Sequence, residues 1–278
     1  VPIAYTAAYT CFGLRCIVSP EVPNNAGSLA PFKVTAPLRS ILNAPYPAAI
    51  NARHIIGQML PDVVFGCLVQ VKPDRVPAEG ASCLWNLTFR GETDRGPNDS
   101  TIFTTTAVTN GGTGARPTSD GLSATAYPSG VRGTPVEINE SLAPLIFHRK
   151  ELRPDSGGAG EHRGGLGQVL EIESAIDSDF ELLAAFDRIA HPALGRRSGG
   201  HGESGAVFLA SGERLRGKGT QIIRAGERLI IHTPGGGGYG DPKVRDREQV
   251  RSDVANELIS AEAASELYGF SKDQEDQE

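Results

Sequence analysis

The sequence predicts an α+β fold: a helical, mixed amino-terminal part, a β-rich middle with glycine-rich loops, and short helices near the end. Three observations carry this. Apolar residues run long or at helical spacing before residue 80 and again after Asp246, and fall into strand-length runs between. Each strand-length run is closed by glycine or proline. Glycine is in excess at 34 of 278 residues while aromatics are only 6%, which favours strands joined by tight turns and close backbone approaches.

The elements follow in chain order. Residues 4–18 (AYTAAYTCFGLRCIV) fit a helix or a buried strand and stop at Ser19-Pro20. A loop with Pro20, Pro23, Asn24, Asn25 and Gly27 leads to PFKVTAPL (31–38), a short strand candidate bounded by prolines. Pro45 and Pro47 are read as opening a helix from Ala48 to Leu60 that Pro61 ends, with Asp62 capping a second, very apolar helix to about Val71. Strand-like runs then follow in order: CLWNLTF, TIFTTTAV, GQVLEIE, FELLAAF, GAVFLA, GTQIIR and ERLIIHT. After Asp246, an N-cap candidate, Val250, Val254 and Leu258 share a helical face, and Ser260 can cap a last short helix. The tail SKDQEDQE is predicted to be disordered. The resulting division is 1–80, 81–245, 246–270 and 271–278.

Composition limits the function. With 39% apolar and 22% charged residues the chain can bury a core, and no window approaches the roughly 18 consecutive apolar residues of a membrane span. A net charge of −6 without Lys/Arg clusters argues against a nucleic-acid partner. Cys11, Cys16, Cys67 and Cys83 form no CxxC pair, so neither a zinc site nor a disulfide framework is encoded locally, and a reducing cytoplasm fits. Three N-x-S/T triplets, at Asn86, Asn98 and Asn139, lack a secretory leader and are read as chance. The opening residues resemble the middle of a packed element, so a piece of a longer protein is expected.

Four glycine clusters, at 111–114, 157–167, 199–205 and 235–240, are the candidates for chemistry, because exposed backbone N–H groups can hold anions. Tight turning explains any one of them; four beside charged or imidazole groups favour convergence on one cleft. Nucleotide motifs fail on context: GxGxxG at Gly200–Gly205 precedes a strand, the copy at Gly235–Gly240 meets Asp241-Pro242, and GERLRGKG (212–219) lacks the Ser/Thr that holds magnesium. His54, His148, His162, His191, His201 and His232 form no HExxH or i, i+4 pair, so no metal ligand is assigned. Asp120, Glu137, Glu140, Arg153, Asp155 and Arg163 lie near glycines, where acids can orient water and arginines can hold carboxylate or phosphate; solvated ion pairs are the bland reading.

Several long motifs now stand in one order: PEVPNNAG (20–27), ILNAPYPAAINAR (41–53), RVPAEG (75–80), NGGTGARPTSDG (110–121), RPDSGGAGEHRGGLG (153–167), TPGGGGYGDP (233–242) and DVANELISAEAASELYGF (253–270). Together they resemble the hydantoinase B / oxoprolinase family. The resemblance implies part of the B-type subunit of an ATP-dependent enzyme that opens cyclic amides such as hydantoins or 5-oxoproline. A partner A-type subunit would bind ATP, and this chain would shelter the activated substrate. Related ketone carboxylases, a noncatalytic assembly module and a truncated inactive relative are the alternatives. Family members run to roughly twice this length, with a metal-binding DPYxGGTHxxD-like stretch in an amino-terminal half that is missing here, so the chain resembles the carboxy-terminal half. The expected site has Asp120, Glu137 and Arg163 as catalytic groups, with Gly112, Gly114, Gly160, Gly164, Gly236 and Gly237 turning N–H groups toward an oxyanion.

Overall fold

In the computed structural model, which describes residues 1–82, 84–93 and 101–270, the chain forms two compact units, Val1–Pro77 and Ala78–Glu278. Cys83, the triplet at Asn98 and the tail from residue 271 lie outside the described residues.

The first unit is helical. Residues 4–18 resolve as helix, α1 (Ile3–Ile17), and a short α2 (Ala26–Leu29) is closed by an Asn25/Ser28 capping box in a stretch the sequence reads as loop. Arg15, buried in the last turn of α1, donates to the carbonyls of Val18 and Val22 and to Asn24 Oδ1, placing a cation where unpaired helix carbonyls collect. The two helices expected around Pro61 are one, α3 (His54–Leu68), with Pro61 inside it. A mid-helix proline forfeits a hydrogen bond and costs about 3 kcal/mol; packing offsets this, since Gly13 lies directly against Pro61 and Val64 while Tyr5 and Tyr9 cover Gly57. Those contacts make α1 and α3 run in the same direction. Residues 48–53 are not helical, with Ala52 at φ 49°. The candidate strand 31–38 is irregular, although its exposure alternates with period two as extended chain does: the period is there, and among the described residues a ladder partner is not.

The second unit is a β-sandwich. One antiparallel sheet orders its strands β2 (Thr101–Asn110), β1 (Leu84–Thr93), β5 (Phe180–Ala185) and β7 (Lys218–Ile223). The other orders β3 (Leu145–Leu152), β4 (Gln168–Ser174), β8 (Leu229–His232) and β6 (Ala206–Leu209). Inward residues of both sheets, among them Trp85, Leu87, Phe89, Leu182, Leu170, Ile172, Val207 and Ile231, make one core. Trp85 stacks on Phe186 with ring centroids 4.3 Å apart. Strand β3 escapes the sequence reading because its HRKE run carries charge; it is an edge strand with a bulge between Phe147 and Arg149, where charge is normal.

Helix α4 (Val136–Leu142) precedes β3, and α5 (Arg247–Ala255) and α6 (Ala261–Tyr268) close the unit as expected, capped by Asp246 and Ser260. Val250, Ile259, Ala264, Tyr268 and Phe270 form a second small core around Ala159.

Candidate functional site

The four glycine segments leave strand ends: one follows β2, one precedes β4, one precedes β6 and one follows β8. Thr233, which follows β8, stitches that end to those of β2 and β4, its hydroxyl donating to Asn110 O at 3.0 Å and accepting from Gln168 N at 2.6 Å. Beyond the ends the chain is extended but forms no sheet among the described residues, and the segments pack against one another mainly through backbone.

Side chains are excluded there by contact. A methyl group on Gly112 would lie 1.8 Å from Gly165 O, on Gly164 1.9 Å from Gly236 O, and on Gly236 1.9 Å from Thr113 O. Corresponding distances are 2.0 Å from Ala78 O at Gly114, 2.6 Å from Tyr239 O at Gly160, and 2.3 Å from Leu194 O at Gly237. None of these six has positive φ, so the glycines supply space and not backbone freedom. The segments do converge, as a hydrogen-bonded bundle. Gly112 N donates to Pro234 O, Gly164 N to Gly158 O, Gly236 N to Gly165 O and Gly237 N to Glu79 O, each at 2.9–3.0 Å. These four N–H groups, expected to face an oxyanion, hold the bundle together.

Asp120 and Arg163 meet within the bundle. Arg163 N donates to Asp120 Oδ1 at 2.7 Å, and Gly121 N donates to Arg163 O at 2.8 Å. Their side chains belong to a larger ring that the sequence reading misses. Arg245, just before α5, grips both Asp120 oxygens at 2.7 and 2.6 Å and reaches Asp253 Oδ2 at 2.8 Å. Arg163 Nε donates to Asp253 Oδ2 at 3.2 Å, and its Nη1 to Gly164 O at 2.9 Å. Side-chain exposure is 1% for Arg245, 6% for Arg163 and 8% for Asp253, against 30% for Asp120, so Asp120 is the member that reaches solvent. Arg245 Nε and Tyr268 OH are buried there without a hydrogen-bond partner among the described residues.

Burial alone would raise the Asp120 carboxyl, but the Arg245 fork and the Arg163 N–H outweigh it and hold it below the usual carboxylate range. Arg245 stays charged, its own burial outweighed by Asp120 and Asp253. Burial pushes the Tyr268 hydroxyl up to about 12. One signal for the ring was available: Asp253 sits three residues after Val250 on the apolar face of α5, where an acid requires a cation. Arg245 lies 125 residues from Asp120 and gives no such sign.

The remaining singled-out residues have other partners. Glu137 is exposed on α4 near Lys150, and among the described residues no hydrogen bond or ion pair joins it to Asp120 or Arg163. Glu140 caps β3 by accepting from Phe147 N at 2.8 Å. Arg153 donates to Ser204 O at 2.8 Å, and Asp155 accepts from Ser260 N at 2.8 Å. His162 pairs with Tyr239 through backbone, and His201 Nδ1 accepts from Gly195 N at 3.1 Å. The P-loop-like stretch runs into β7, and Lys218 is held by Asp187 at 2.9 Å. Among the described residues no three His, Cys, Asp or Glu come together to hold a metal ion, and Asp120 and Asp253 are committed to arginines. The carboxylates of this ring therefore do not fit a metal site, and no helix among the described residues is long and apolar enough to cross a membrane.

Comparison with known proteins bears on this geometry. A caprolactamase subunit beta from Pseudomonas jessenii is 31% identical over 276 residues, covering 92% of this chain and 46% of that protein. The crystal structure of ATP-dependent caprolactamase from the same organism superposes with a TM-score of 0.77 at 27% identity, over 96% of this chain and 48% of that one. 5-Oxoprolinase 1 of Arabidopsis thaliana is 35% identical over 245 residues, 86% of this chain and 18% of its own length. The chain thus spans less than half the length of these relatives. The family model for hydantoinase B/oxoprolinase matches residues 1–242, and the chain belongs to that family.

Proposed function

We propose that this chain is part of the B-type subunit of an ATP-dependent enzyme that opens cyclic amides, working in the cytoplasm beside an A-type subunit that binds ATP. The observation that carries this is family membership together with relatives named for ring amides, 5-oxoprolinase and caprolactamase. ATP supplies the phosphoryl group that activates the amide oxygen. The bundle gives a rigid, dry wall beside the activated ring, where bulk water would divert it.

Asp120 is the side chain we assign to the substrate side. It is ionised at neutral pH, so it accepts a proton or orients a water rather than acting as an acid. Arg245 and the Arg163 N–H fix its plane, and Arg163, whose guanidinium is buried on Asp253, is a positioning residue. Gly114 and Gly160 line the same bundle. Glu137 shares no described contact with the ring, so the reading does not rest on it.

The test is ADP release by the assembled complex, with 5-oxoproline, hydantoin and caprolactam each added in turn. One of them should stimulate release by at least about tenfold. No stimulation by any of the three would overturn the reading, and stimulation by a ketone with bicarbonate instead would make the chain a carboxylase part. A noncatalytic assembly role is the second reading, favoured by the burial of Arg163 and the engaged glycine N–H groups.

A further inference from the structure

A helix facing water carries charge on its outer side. Helices α1 and α3, 15 residues each, contain Arg15 and Asp62 as their Asp, Glu, Lys or Arg residues, and both are buried. On α3, Ile56, Met59, Val63 and Cys67 recur at intervals of three and four and share a face, on which Val63 is 61% exposed and Cys67 is exposed. Gly66 notches the same face, since a methyl group there would meet nothing within 4 Å. Beside the first turn of α1, where Ile3 is exposed, a loop is tied on by Ala44 N to Val1 O and by the Thr6 hydroxyl to Leu42 O. That loop exposes Ile41 at 73% and Tyr46 at 98%.

We propose that this uncharged face of α1 and α3 is a docking surface, and that its occupant is the half of a B-type subunit that this chain does not match. The proposal rests on the B-type reading above. The family match begins at residue 1, so both helices belong to the family region and are no foreign appendage. In the caprolactamase subunit the matched region fills 46% of the polypeptide, so more than as much again is tethered beside it. A permanently tethered neighbour meets a surface at high effective concentration, and such a surface dispenses with the charges a solvent-facing one keeps. The occupant is accordingly apolar where it meets Val63 and Gly66.

The test uses this chain and the full-length Pseudomonas jessenii caprolactamase subunit beta. In this chain, Val63→Lys with Cys67→Lys should leave the thermal midpoint within about 1 °C, because both side chains face solvent. Lysines at the aligned positions of the full-length subunit should lower its midpoint by at least about 5 °C. An unchanged midpoint there would overturn the proposal. So would light scattering showing this chain as a dimer that the double variant dissociates, since a second copy would then be the occupant. Both measurements are independent of turnover, so failure of the ring-opening assay would leave them readable.

Discussion

At the residue scale the ring of Asp120, Arg163, Arg245 and Asp253 sets the energetics. Each buried arginine has its charge compensated, and removing one partner strands the other. Arg245→Met should therefore cost about 3–5 kcal/mol, whereas Asp120→Asn, nearer solvent, should cost about 1–2 kcal/mol. Urea denaturation checks the order; equal costs would mean the ring is not the buried unit described. Acid sensitivity follows from two groups with the same sign. Asp120 is lowered in the fold, so its contribution is present above about pH 3.9 and is lost as pH falls through its folded value. His232, packed edge-on against Phe208, is pushed down to about 4 by burial, then by Arg153 and Arg149. The unfolded imidazole takes up a proton that the folded one refuses between about pH 6.5 and 4, so stability falls across that window on acidification. Thermal midpoints measured from pH 7 to 4.5 should drop for the native chain and drop less for His232→Asn; parallel curves would contradict the assignment.

At the element scale glycine divides into classes that substitution separates. Gly236→Ala would drive a methyl into Thr113 O and Gly235→Ala one into Ser156 O at 1.7 Å, so each should cost at least about 3 kcal/mol. Gly66→Ala, in helix α3 with open space around it, should instead stabilise the isolated chain by about 0.5–1 kcal/mol. Denaturation midpoints moving the same way in all three would show that close packing is not what the bundle glycines provide. The strands were legible because their inward residues alternate between glycine or proline stops, as in β1, where Trp85, Leu87 and Phe89 point inward. The caps Asp246 and Ser260 were legible because a side-chain oxygen at that position has one local job. Pro61 misled because a local rule against helix was overridden by a nonlocal contact with Gly13, and 31–38 misled because extended backbone does not by itself supply a partner.

At the scale of the whole molecule, the glycine segments show what sequence proximity conceals. That they are rich in N–H groups was visible; that those groups bond to one another depends on which strand ends the sandwich brings together. Likewise Asp120 and Arg163 could be picked out, but Arg245 and Asp253 complete their ring only after the chain has crossed both sheets. The ring and the second small core fasten α5 and α6 to the bundle, leaving Asp120 as the ring carboxylate with access to solvent. The same four residues thus serve as lock and, in the proposed function, as frame for one reacting group. The measurement that separates these is lactam-driven ADP release by the assembled complex, read for Asp120→Asn and Asp253→Asn well below their melting temperatures. Loss of about 100-fold or more in Asp120→Asn, with Asp253→Asn largely active, is the predicted result; full activity in Asp120→Asn, or equal losses in the two, would contradict a catalytic Asp120.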